Sequence, residues 1–404
     1  MPRVLVVNTG SSSIKYQLFE MDGQKVLASG LVERIGEPGG RLTHRPGEGE
    51  PLVVEDRIAD HSEGFERIFR AFEQAGEPIG ELAGIGHRVV HGGDRLTAPT
   101  LIDDAAVAAI ADQVPLAPLH NPSNLLGIRI AMASFPDTPQ VAVFDTAFHQ
   151  TMPPRAWRYA LPRDLAAELR IRRYGFHGTS HAYVSRKAAE HLGRPAAELN
   201  LITLHLGNGA SAAAVAGGRC IDTSMGLTPL EGLVMGTRSG DLDPAVVFYL
   251  HREAGMSVDD IDDLLNKRSG MLGLAGANDM REVDRRAAGG DQAAVEALDV
   301  YCYRLRKYVG AYAAALGRLD ALVFTAGVGE NNQGVRAGVC SGLEGPGVRL
   351  DAKRNRAGSS RPRTISPDDA PVAVLVVPTN EELEIAEQTL AVVRGSPDRR
   401  AIVP

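Results

Sequence analysis

The 404-residue sequence predicts an α/β fold made of two similar domains that face a central cleft. Short apolar runs alternate with helical segments along the whole chain, which is typical of this class. The length exceeds the size at which one hydrophobic core stops growing, so we expect two domains. A strand–turn–strand segment near the start of the chain also has a counterpart in its middle.

The strands and the first helix are predicted from the hydrophobic period. Continuous apolar runs indicate buried strands at 4–7, 141–144, 201–206, 321–324 and 372–377. A helix is predicted at 62–75, because four large apolar side chains share one face and Gly76 follows as a stop signal. A second, long helix is predicted at 292–316.

Three further segments complete the assignment. Thr379 and Glu382 have the spacing of a capping box, which predicts the start of a last helix. Residues 36–51 are rich in Gly, Pro and Glu and are predicted to form an exposed loop or loose hairpin. The polar tail from Gly395 onward is predicted to fray.

Two pairs of segments resemble each other and suggest an internal duplication. Residues 4–18 and 201–215 each read as a strand, a turn of small residues and a second strand. Residues 141–147 (VAVFDTA) likewise resemble 321–327 (ALVFTAG). The pairs indicate two halves that each offer a phosphate-binding hairpin, with chance similarity between α/β strands as the alternative.

Composition and charge exclude several classes of protein. A net charge of −7 and the lack of a long Lys/Arg run argue against a nucleic-acid surface. Cys220, Cys302 and Cys340 are far apart and have no CxxC spacing, so we expect reduced thiols and no disulfide framework or zinc site. No signal-peptide pattern or bilayer-length run is present, which predicts a cytoplasmic protein with no membrane partner.

Residues 8–15 (NTGSSSIK) form the most informative short motif. A turn of Gly and Ser exposes backbone N–H groups and hydroxyls, and Lys15 adds a positive charge, which suits a phosphate or polyphosphate. The alternative is an ordinary Gly/Ser hairpin turn.

Other polar residues follow apolar runs, where α/β proteins place their ligands. Arg88 and Arg238 stand among small neighbours and could reach an anion with a planar fork, although either could instead be a structural ion-pair partner. Asp145 and Glu381 offer oxygen ligands for Mg²⁺. Together these parts are the ones that phosphoryl transfer requires.

The ordered set of motifs resembles the acetate kinases, which are short-chain carboxylate kinases of the acetate/sugar kinase, actin and chaperone ATPase superfamily. The matching segments follow the family's order and cover nearly the whole chain: 8–13, 87–93, 144–153, 173–181, 205–211, 222–244, 324–331 and 378–383. The resemblance implies reversible phosphoryl transfer from ATP to acetate by a direct in-line route, giving acetyl phosphate and ADP.

The resemblance also implies a role for each matched position. The implied metal ligands are Asn8 and Glu381, holding Mg²⁺ with Mn²⁺ as a substitute. The implied catalytic residues are Asp145, His177 and Arg238, with Asp145 acting through a metal-bound water or by orienting the substrate. The implied substrate-binding residues are Arg88, Val90, Leu119, His120, Phe176 and Pro229, of which the four apolar ones would enclose the acyl methyl. The implied ATP-binding residues are Ser11, Ser13, Lys15, His205, Leu206, Gly207, Asn208, Gly209, Asp279, Met280, Arg281, Gly327, Val328, Gly329, Glu330 and Asn331.

The family's fold is a pair of ribonuclease H-like domains, as in actin-like ATPases, and its members form homodimers. The implied boundaries are 1–149, completed by a C-terminal helix at 383–404, and 150–382 for the nucleotide-binding domain. Ser123, the segment 273–278 and Met280 depart from the family's usual residues, which affects the adenine contacts most. A propionate or butyrate kinase and a nucleotide-dependent chaperone ATPase are the alternatives.

Overall fold

The computed structural model describes residues 1–76 and 79–395. Its strands β1 to β14 span, in chain order, Arg3–Thr9, Ser13–Glu20, Lys25–Glu33, Arg41–Pro46, Leu52–Glu55, Gly84–Val89, Thr100–Leu101, Gln140–Phe144, Asn200–Leu206, Ala210–Ala216, Arg219–Thr223, Ala321–Thr325, Arg363–Thr364 and Ala373–Val376.

The α-helices of the same described residues alternate with these strands. Helices α1 to α15 span His61–Gln74, Asp104–Ala111, Asn121–Ser134, Pro154–Trp157, Arg163–Glu168, Gly178–Leu192, Ala245–Glu253, Val258–Lys267, Gly270–Ala275, Met280–Ala288, Gln292–Leu316, Ala326–Asn331, Gln333–Cys340, Ala352–Arg356 and Glu381–Val393.

The chain divides into two compact units, of which the first comprises Met1–Phe148 and the chain from Asn380 on. Its sheet has the strand order β5-β4-β3-β2-β1-β6-β8-β7, in which β1, β6 and β8 run parallel. Helix α15 packs on those three strands. Helix α1 buries Phe65, Ile68 and Phe72 against the other strands, while Asp60 caps its first turn by accepting from the Glu63 amide.

The second unit, His149–Thr379, contains a six-stranded sheet of order β11-β10-β9-β12-β14-β13. Strands β9, β12 and β14 are parallel and buried along nearly their whole length, as expected for strands covered on both faces. The 25-residue helix α11 packs on β9 and β10 and buries Tyr301, Leu305, Val309 and Tyr312.

The two sheets share one topology, which confirms the α/β fold with a duplicated core. In each, an antiparallel meander of three strands leads into three parallel strands, so β1, β2 and β3 correspond to β9, β10 and β11. The predicted likeness of 4–18 to 201–215 is therefore confirmed. The likeness of 141–147 to 321–327 is wrong, because β8 is the third parallel strand of its sheet and β12 is the second.

The predicted strands and long helices are confirmed within one or two residues. The capping box is wrong, because the side chain of Asn380 and not of Thr379 accepts from the Leu383 amide at the start of α15. The last helix ends at Val393 in the described residues, and the part of the predicted segment 383–404 beyond Gly395 lies outside them, as does the predicted fraying.

The segment 36–51 is also more ordered than predicted, because it contains strand β4 between β3 and β5. Its glycines serve close packing: a Cβ on Gly40 would lie 2.7 Å from the Asp56 carbonyl oxygen, and one on Gly47 would lie 2.6 Å from that of Leu27. The composition that suggests a loop therefore marks places where two backbones touch.

Cys220, Cys302 and Cys340 are free thiols, as predicted. Among the described residues, none of the helices is both long and apolar enough to cross a bilayer.

Candidate active site

The first group of predicted site residues lies at one edge of the first sheet. Strands β1, β6 and β8 are parallel and in register, with Val7 opposite His87 and Arg88 opposite Val143. Their carboxyl ends therefore meet at one edge, where Asn8, Val90 and Asp145 follow or end them. Helix α15 begins with Glu381 and packs on the same three strands.

Arg88 and Asp145 form a bidentate ion pair at this edge. Nε of Arg88 donates to Oδ1 of Asp145 at 3.0 Å, and Nη2 donates to Oδ2 at 2.6 Å. The Asp145 side chain is only 2% exposed, and its carboxylate raises the pKa of Arg88 above the usual range. Two fixed hydrogen bonds hold the guanidinium plane in one orientation, and no described residue accepts from Nη1. Asp145 therefore positions Arg88.

Glu381 is the carboxylate of this edge that has an unsatisfied atom. Burial raises its pKa from 4.5 to about 7, partly offset by the positive charge of Arg88 and reinforced by Asp145 and Glu382. Its Oε1 is buried and has no hydrogen-bond partner among the described residues. A cation at that oxygen would replace the missing hydrogen bond. It would also offset the negative charge of the three carboxylates Asp145, Glu381 and Glu382, which exceeds the positive charge of Arg88 and Lys15.

Asn8 and Glu381 fit a magnesium site of few protein ligands. Mg²⁺ takes one or two carboxylates and keeps waters and phosphate oxygens, so it does not need a dense ligand set. The described residues contain no cluster of three or more His, Cys, Asp or Glu side chains that could surround a metal ion. Lys15, opposite Asn8 in the β1–β2 ladder, forms an ion pair with Glu382. The Lys15 side chain therefore lies at the same edge of the first sheet as Asn8 and Glu381.

The predicted phosphate turn connects β1 and β2. The amide of Gly10 donates to the Ser13 carbonyl oxygen at 2.8 Å, which closes the turn and leaves the Ser11 side chain exposed. The side chain of Asn124 holds the neighbouring segments, donating to the Thr9 carbonyl at 2.8 Å and accepting from the Val90 amide at 3.1 Å. One amide group thereby links the phosphate turn to the predicted acyl-binding residue.

The other predicted acyl-site residues of this unit flank the start of α3. His120 is the N-terminal cap position of that helix, and Leu119 before it is 65% exposed.

The second group of predicted site residues lies in the second unit, around four histidines that we call the histidine cluster (His149, His177, His181 and His205). His177 and His205 stack with ring centroids 4.2 Å apart. His177 is the N-terminal cap residue of helix α6 and lies in the left-handed region, with φ of 56°. This backbone conformation is uncommon for a residue other than glycine, and His177 shares it with Gln24, Arg34, Arg170 and Ala326.

Buried hydroxyl groups hold the histidine cluster in place. Ser211 Oγ lies 2.9 Å from His177 Nδ1 and 2.8 Å from His181 Nε2, while Thr203 Oγ1 lies 2.7 Å from His181 Nδ1. Ser180 Oγ lies 2.7 Å from His205 Nδ1. Sequence analysis did not single out these hydroxyls. Only Ser180 had a signal, the small polar run at 178–181 that opens a helix whose first turn is buried.

Arg238 lies beside the second phosphate turn. A Cβ on Gly209 would lie 3.4 Å from His177 Nε2 and 3.6 Å from Arg238 Nη1, so these two side chains flank the turn. Arg238 Nη1 donates to the Pro229 carbonyl oxygen at 3.3 Å, and no described carboxylate pairs with it. Burial lowers the pKa of Arg238, although a guanidinium remains charged at neutral pH. This is a half-buried positive charge beside a Gly-rich turn.

The Arg238 loop and the phosphate turn are joined through their backbones. The Gly236 amide donates to the Asn208 carbonyl at 2.9 Å, and a Cβ on Gly236 would collide with Oδ1 of Asn208. Leu206 is buried at the end of β9, and Gly207 closes the turn on Gly209 at 3.0 Å. Phe176 is buried, and its carbonyl accepts from His149 Nε2 at 2.8 Å.

The predicted adenosine residues lie on two helices that are bonded together. Asp279 caps α10 and pairs with Arg281, whose side chain is 91% exposed, while Met280 is buried. Residues 327–331 belong to helix α12, and Asn332 after it donates to Asp284 of α10 at 2.5 Å. Glu330 accepts from the Thr379 amide at 3.1 Å, so its carboxylate is engaged by the protein itself.

His181 predicts a pH dependence of stability in the second unit. Burial, with the neighbouring His149 and His205, lowers its pKa well below 6.5, so the unfolded chain binds a proton below pH 6.5 that the folded chain does not. Stability present above pH 6.5 is therefore lost as the pH falls, by up to about 1.4 kcal/mol per pH unit. We expect His181→Gln to remove that slope between pH 6.5 and 5.5 in urea unfolding followed by Trp157 fluorescence. An unchanged slope contradicts a neutral buried His181.

Comparisons with known proteins agree on one family. The model of the Acetokinase family matches residues 3–387. The chain is 60% identical over 397 residues to an acetate kinase of Clavibacter michiganensis, covering 98% of this chain and all of that protein, and 61% identical over 398 residues to an acetate kinase of Streptomyces griseus, covering 97% and 96%.

Solved structures of similar proteins match nearly the whole chain as well. The structure of Porphyromonas gingivalis acetate kinase matches with a TM-score of 0.93 at 44% identity, covering 97% of this chain and all of that one. The structure of a propionate kinase from Francisella tularensis matches with a TM-score of 0.91 at 42% identity, covering 96% and 99%.

Proposed function

Because the chain belongs to the acetokinase family, we propose that it transfers the γ-phosphoryl group of ATP to acetate. The products are acetyl phosphate and ADP, the reaction is reversible, and the transfer is direct and in line. The observation that carries the proposal is the half-buried guanidinium of Arg238, which has no described acidic partner and flanks the Gly207–Gly209 turn together with His177.

Positive charge and positioning are what this reaction needs most. Acetate is already ionised at neutral pH, since carboxyl groups have pKa values near ~4, so no strong base is required. We assign Arg88 to the acetate carboxylate, because Asp145 fixes its plane and leaves Nη1 available. We assign Arg238 to the equatorial oxygens of the transferring phosphoryl group, where charge accumulates in the transition state.

His177 is assigned to the same phosphoryl oxygens. Ser211 fixes the Nδ1 side of the ring at 2.9 Å and the stacked His205 fixes its plane, so the imidazole needs no reorganisation during transfer. Lys15, Ser11, Ser13 and the turn 205–209 are assigned to the ATP phosphates, and residues 279–281 and 327–331 to the adenosine.

The metal is proposed to be Mg²⁺, with Mn²⁺ able to replace it, held by Asn8 and Glu381. The buried, unpartnered Oε1 of Glu381 is the reason for this choice. When bound, the ion neutralises negative charge on the phosphate oxygens. Asp145 is then left to orient Arg88, since both of its oxygens are engaged by that side chain.

The acyl pocket is proposed to include Val90, Leu119, Phe176 and Pro229, with His120 beside them. We expect Val90→Ala to lower the preference for acetate over propionate about tenfold, the scale of one methylene group. The ratio of kcat/KM values for the two acids measures this. Val107→Ala, the same change on α2, should leave the ratio unaltered. If the two variants behave alike, Val90 does not line the pocket.

We further propose a cytoplasmic homodimer. Helix α7 has no buried residue although it carries Val246, Phe248 and Tyr249, and Phe248 and Tyr249 are 60% and 62% exposed. Tyr303 on α11 is 60% exposed. Such apolar surface favours association with a second copy. The three free thiols agree with a reducing compartment.

The experiment that tests the function is trapping of the acyl phosphate with hydroxylamine, using acetate, propionate and butyrate in parallel. We expect hydroxamate formation that requires both ATP and Mg²⁺ and is fastest with acetate. A propionate kinase is the second candidate, favoured by the likeness to the Francisella tularensis structure, and a maximum with propionate selects it. No hydroxamate with any acid contradicts the proposal.

A further inference from the structure

A shallow, largely open surface depression of about 560 Å³ lies in the second unit, apart from the residues assigned above. It is lined by Pro154, Arg155, Arg158, Tyr159, Ala160 and Arg163. The proposed function makes no use of it.

The charge of this arginine pocket (Arg155, Arg158 and Arg163) is not neutralised by the protein. All three side chains are exposed, the lining contains no acidic residue, and no described carboxylate forms an ion pair with any of them. Asp164 is adjacent in sequence but makes no bond to them. Nearby arginines behave differently: Arg173, for example, pairs with Glu231 at 2.5 Å. Three uncompensated guanidinium groups around one cavity attract a multivalent anion.

The backbone that carries the arginine pocket is held firmly. The Arg158 amide donates to the Pro154 carbonyl at 3.0 Å, and the Trp157 carbonyl accepts from the Arg173 amide at 2.7 Å. Tyr159 donates its hydroxyl to Glu231. The backbone between Pro154 and Tyr159 is therefore fixed by the fold, and the three arginine side chains extend into solvent.

We propose that the arginine pocket binds a small anion with three or more negative charges, presented as clustered carboxylates or phosphates. Guanidinium groups bind both kinds of group through paired N–H donors, and three of them match a trivalent ligand better than a monovalent one. The site lies outside the residues assigned to ATP and acetate and is a regulatory or storage site for such an anion. A nucleic-acid role does not fit, because the chain as a whole is acidic.

The single tryptophan of the chain provides the assay. Trp157 lies under the Arg158 guanidinium at 5.0 Å and against that of Arg172 at 4.3 Å, so movement of Arg158 toward a ligand alters its surroundings. The probes are tripolyphosphate and tricarballylate, with succinate and acetate as anions of lower charge, at low ionic strength and without ATP. We expect a saturable fluorescence change whose affinity follows ligand charge, and calorimetry under the same conditions checks binding independently.

Two double variants, which each remove two positive charges, distinguish binding in the arginine pocket from a general effect of the protein's charge. Arg155→Gln with Arg163→Gln leaves the Trp157 contacts intact and should weaken binding at least tenfold, or ~1.4 kcal/mol. Arg219→Gln with Arg356→Gln removes two exposed arginines elsewhere in the same unit and should change affinity less than twofold. Both should keep wild-type activity without the probe.

The preferred probe identifies the ligand class, carboxylate or phosphate. Equal weakening by the two double variants overturns the proposal, as does the absence of any saturable signal in both fluorescence and calorimetry. Competition by ATP that persists unchanged in the Arg155→Gln, Arg163→Gln double variant would assign the signal to the nucleotide site and also overturn the proposal. None of these results bears on acetyl phosphate formation, so the proposed function stands or falls separately.

Discussion

Arg238→Ala is expected to lower kcat about 10³-fold or more while ATP affinity changes far less. The guanidinium flanks the Gly207–Gly209 turn, next to His177, and is assigned to the oxygens on which charge accumulates during transfer. Arg238→Lys should remain badly impaired, because an ammonium group lacks the planar fork that meets two oxygens at once. Steady-state kinetics and the melting temperature of each variant measure the two effects separately.

A purely structural role for Arg238 predicts a different pattern. The two acidic residues that follow Arg238 most closely in sequence are engaged elsewhere. Asp241 is bonded to the Tyr308 hydroxyl at 2.7 Å and the Gly232 amide at 2.8 Å, and Asp243 accepts from the Ala245 amide. Arg304, which lies 3.4 Å from Asp241, is the matched control: Arg304→Ala should lower the melting temperature more than Arg238→Ala does. A Lys variant with near-normal activity rules out the catalytic assignment of Arg238.

Glu381→Gln is expected to weaken the apparent affinity for Mg²⁺ by about 10²-fold or more, since even outer-shell groups cost 10- to 100-fold. Its Oε1 is buried without a described partner, which leaves it available to a cation. The measurement is the Mg²⁺ dependence of acetyl phosphate formation at fixed free ATP. Raised Mg²⁺ should recover part of the lost activity.

The neighbouring carboxylate supplies the control. Glu382→Gln removes the same charge one residue away, where the side chain pairs with Lys15, and should shift the Mg²⁺ dependence only a few-fold. The weaker Mg²⁺ affinity expected for Glu381→Gln should not come from a less stable fold. Burial raises the pKa of this carboxyl to about 7, so at pH 8 the ionised form destabilises the metal-free fold and the Gln variant should melt no lower than wild type. Equal Mg²⁺ dependence in both variants contradicts the metal assignment.

The sequence predicted the features that depend on local pattern or on general rules of α/β sheets. Apolar runs located the central strands, and the rule that parallel strands end at one edge brought Arg88 and Asp145 together. The bidentate bond between them was not predictable. Either side chain could have faced another partner, and only the register of β6 against β8 decides the matter.

The remaining features depend on tertiary contacts. Ser211 joins His177 to His181 because α6 packs on β9, which pairs with β10, and no short motif encodes that packing. Likewise Thr379 has the spacing of a helix cap, yet its backbone amide and its hydroxyl are bonded to Glu330 and Ser180, so Asn380 caps α15. Buried hydrogen-bond requirements overrode the local signal.

The most direct test of the proposed reaction is phosphorus NMR of the purified protein with ATP, Mg²⁺ and acetate. We predict that acetyl phosphate appears in step with ADP, that inorganic phosphate does not accumulate beyond the spontaneous hydrolysis of acetyl phosphate, and that omitting acetate stops ATP consumption. Conversion of ATP to ADP and inorganic phosphate at the same rate with and without acetate would contradict the account and indicate an ATPase on this fold.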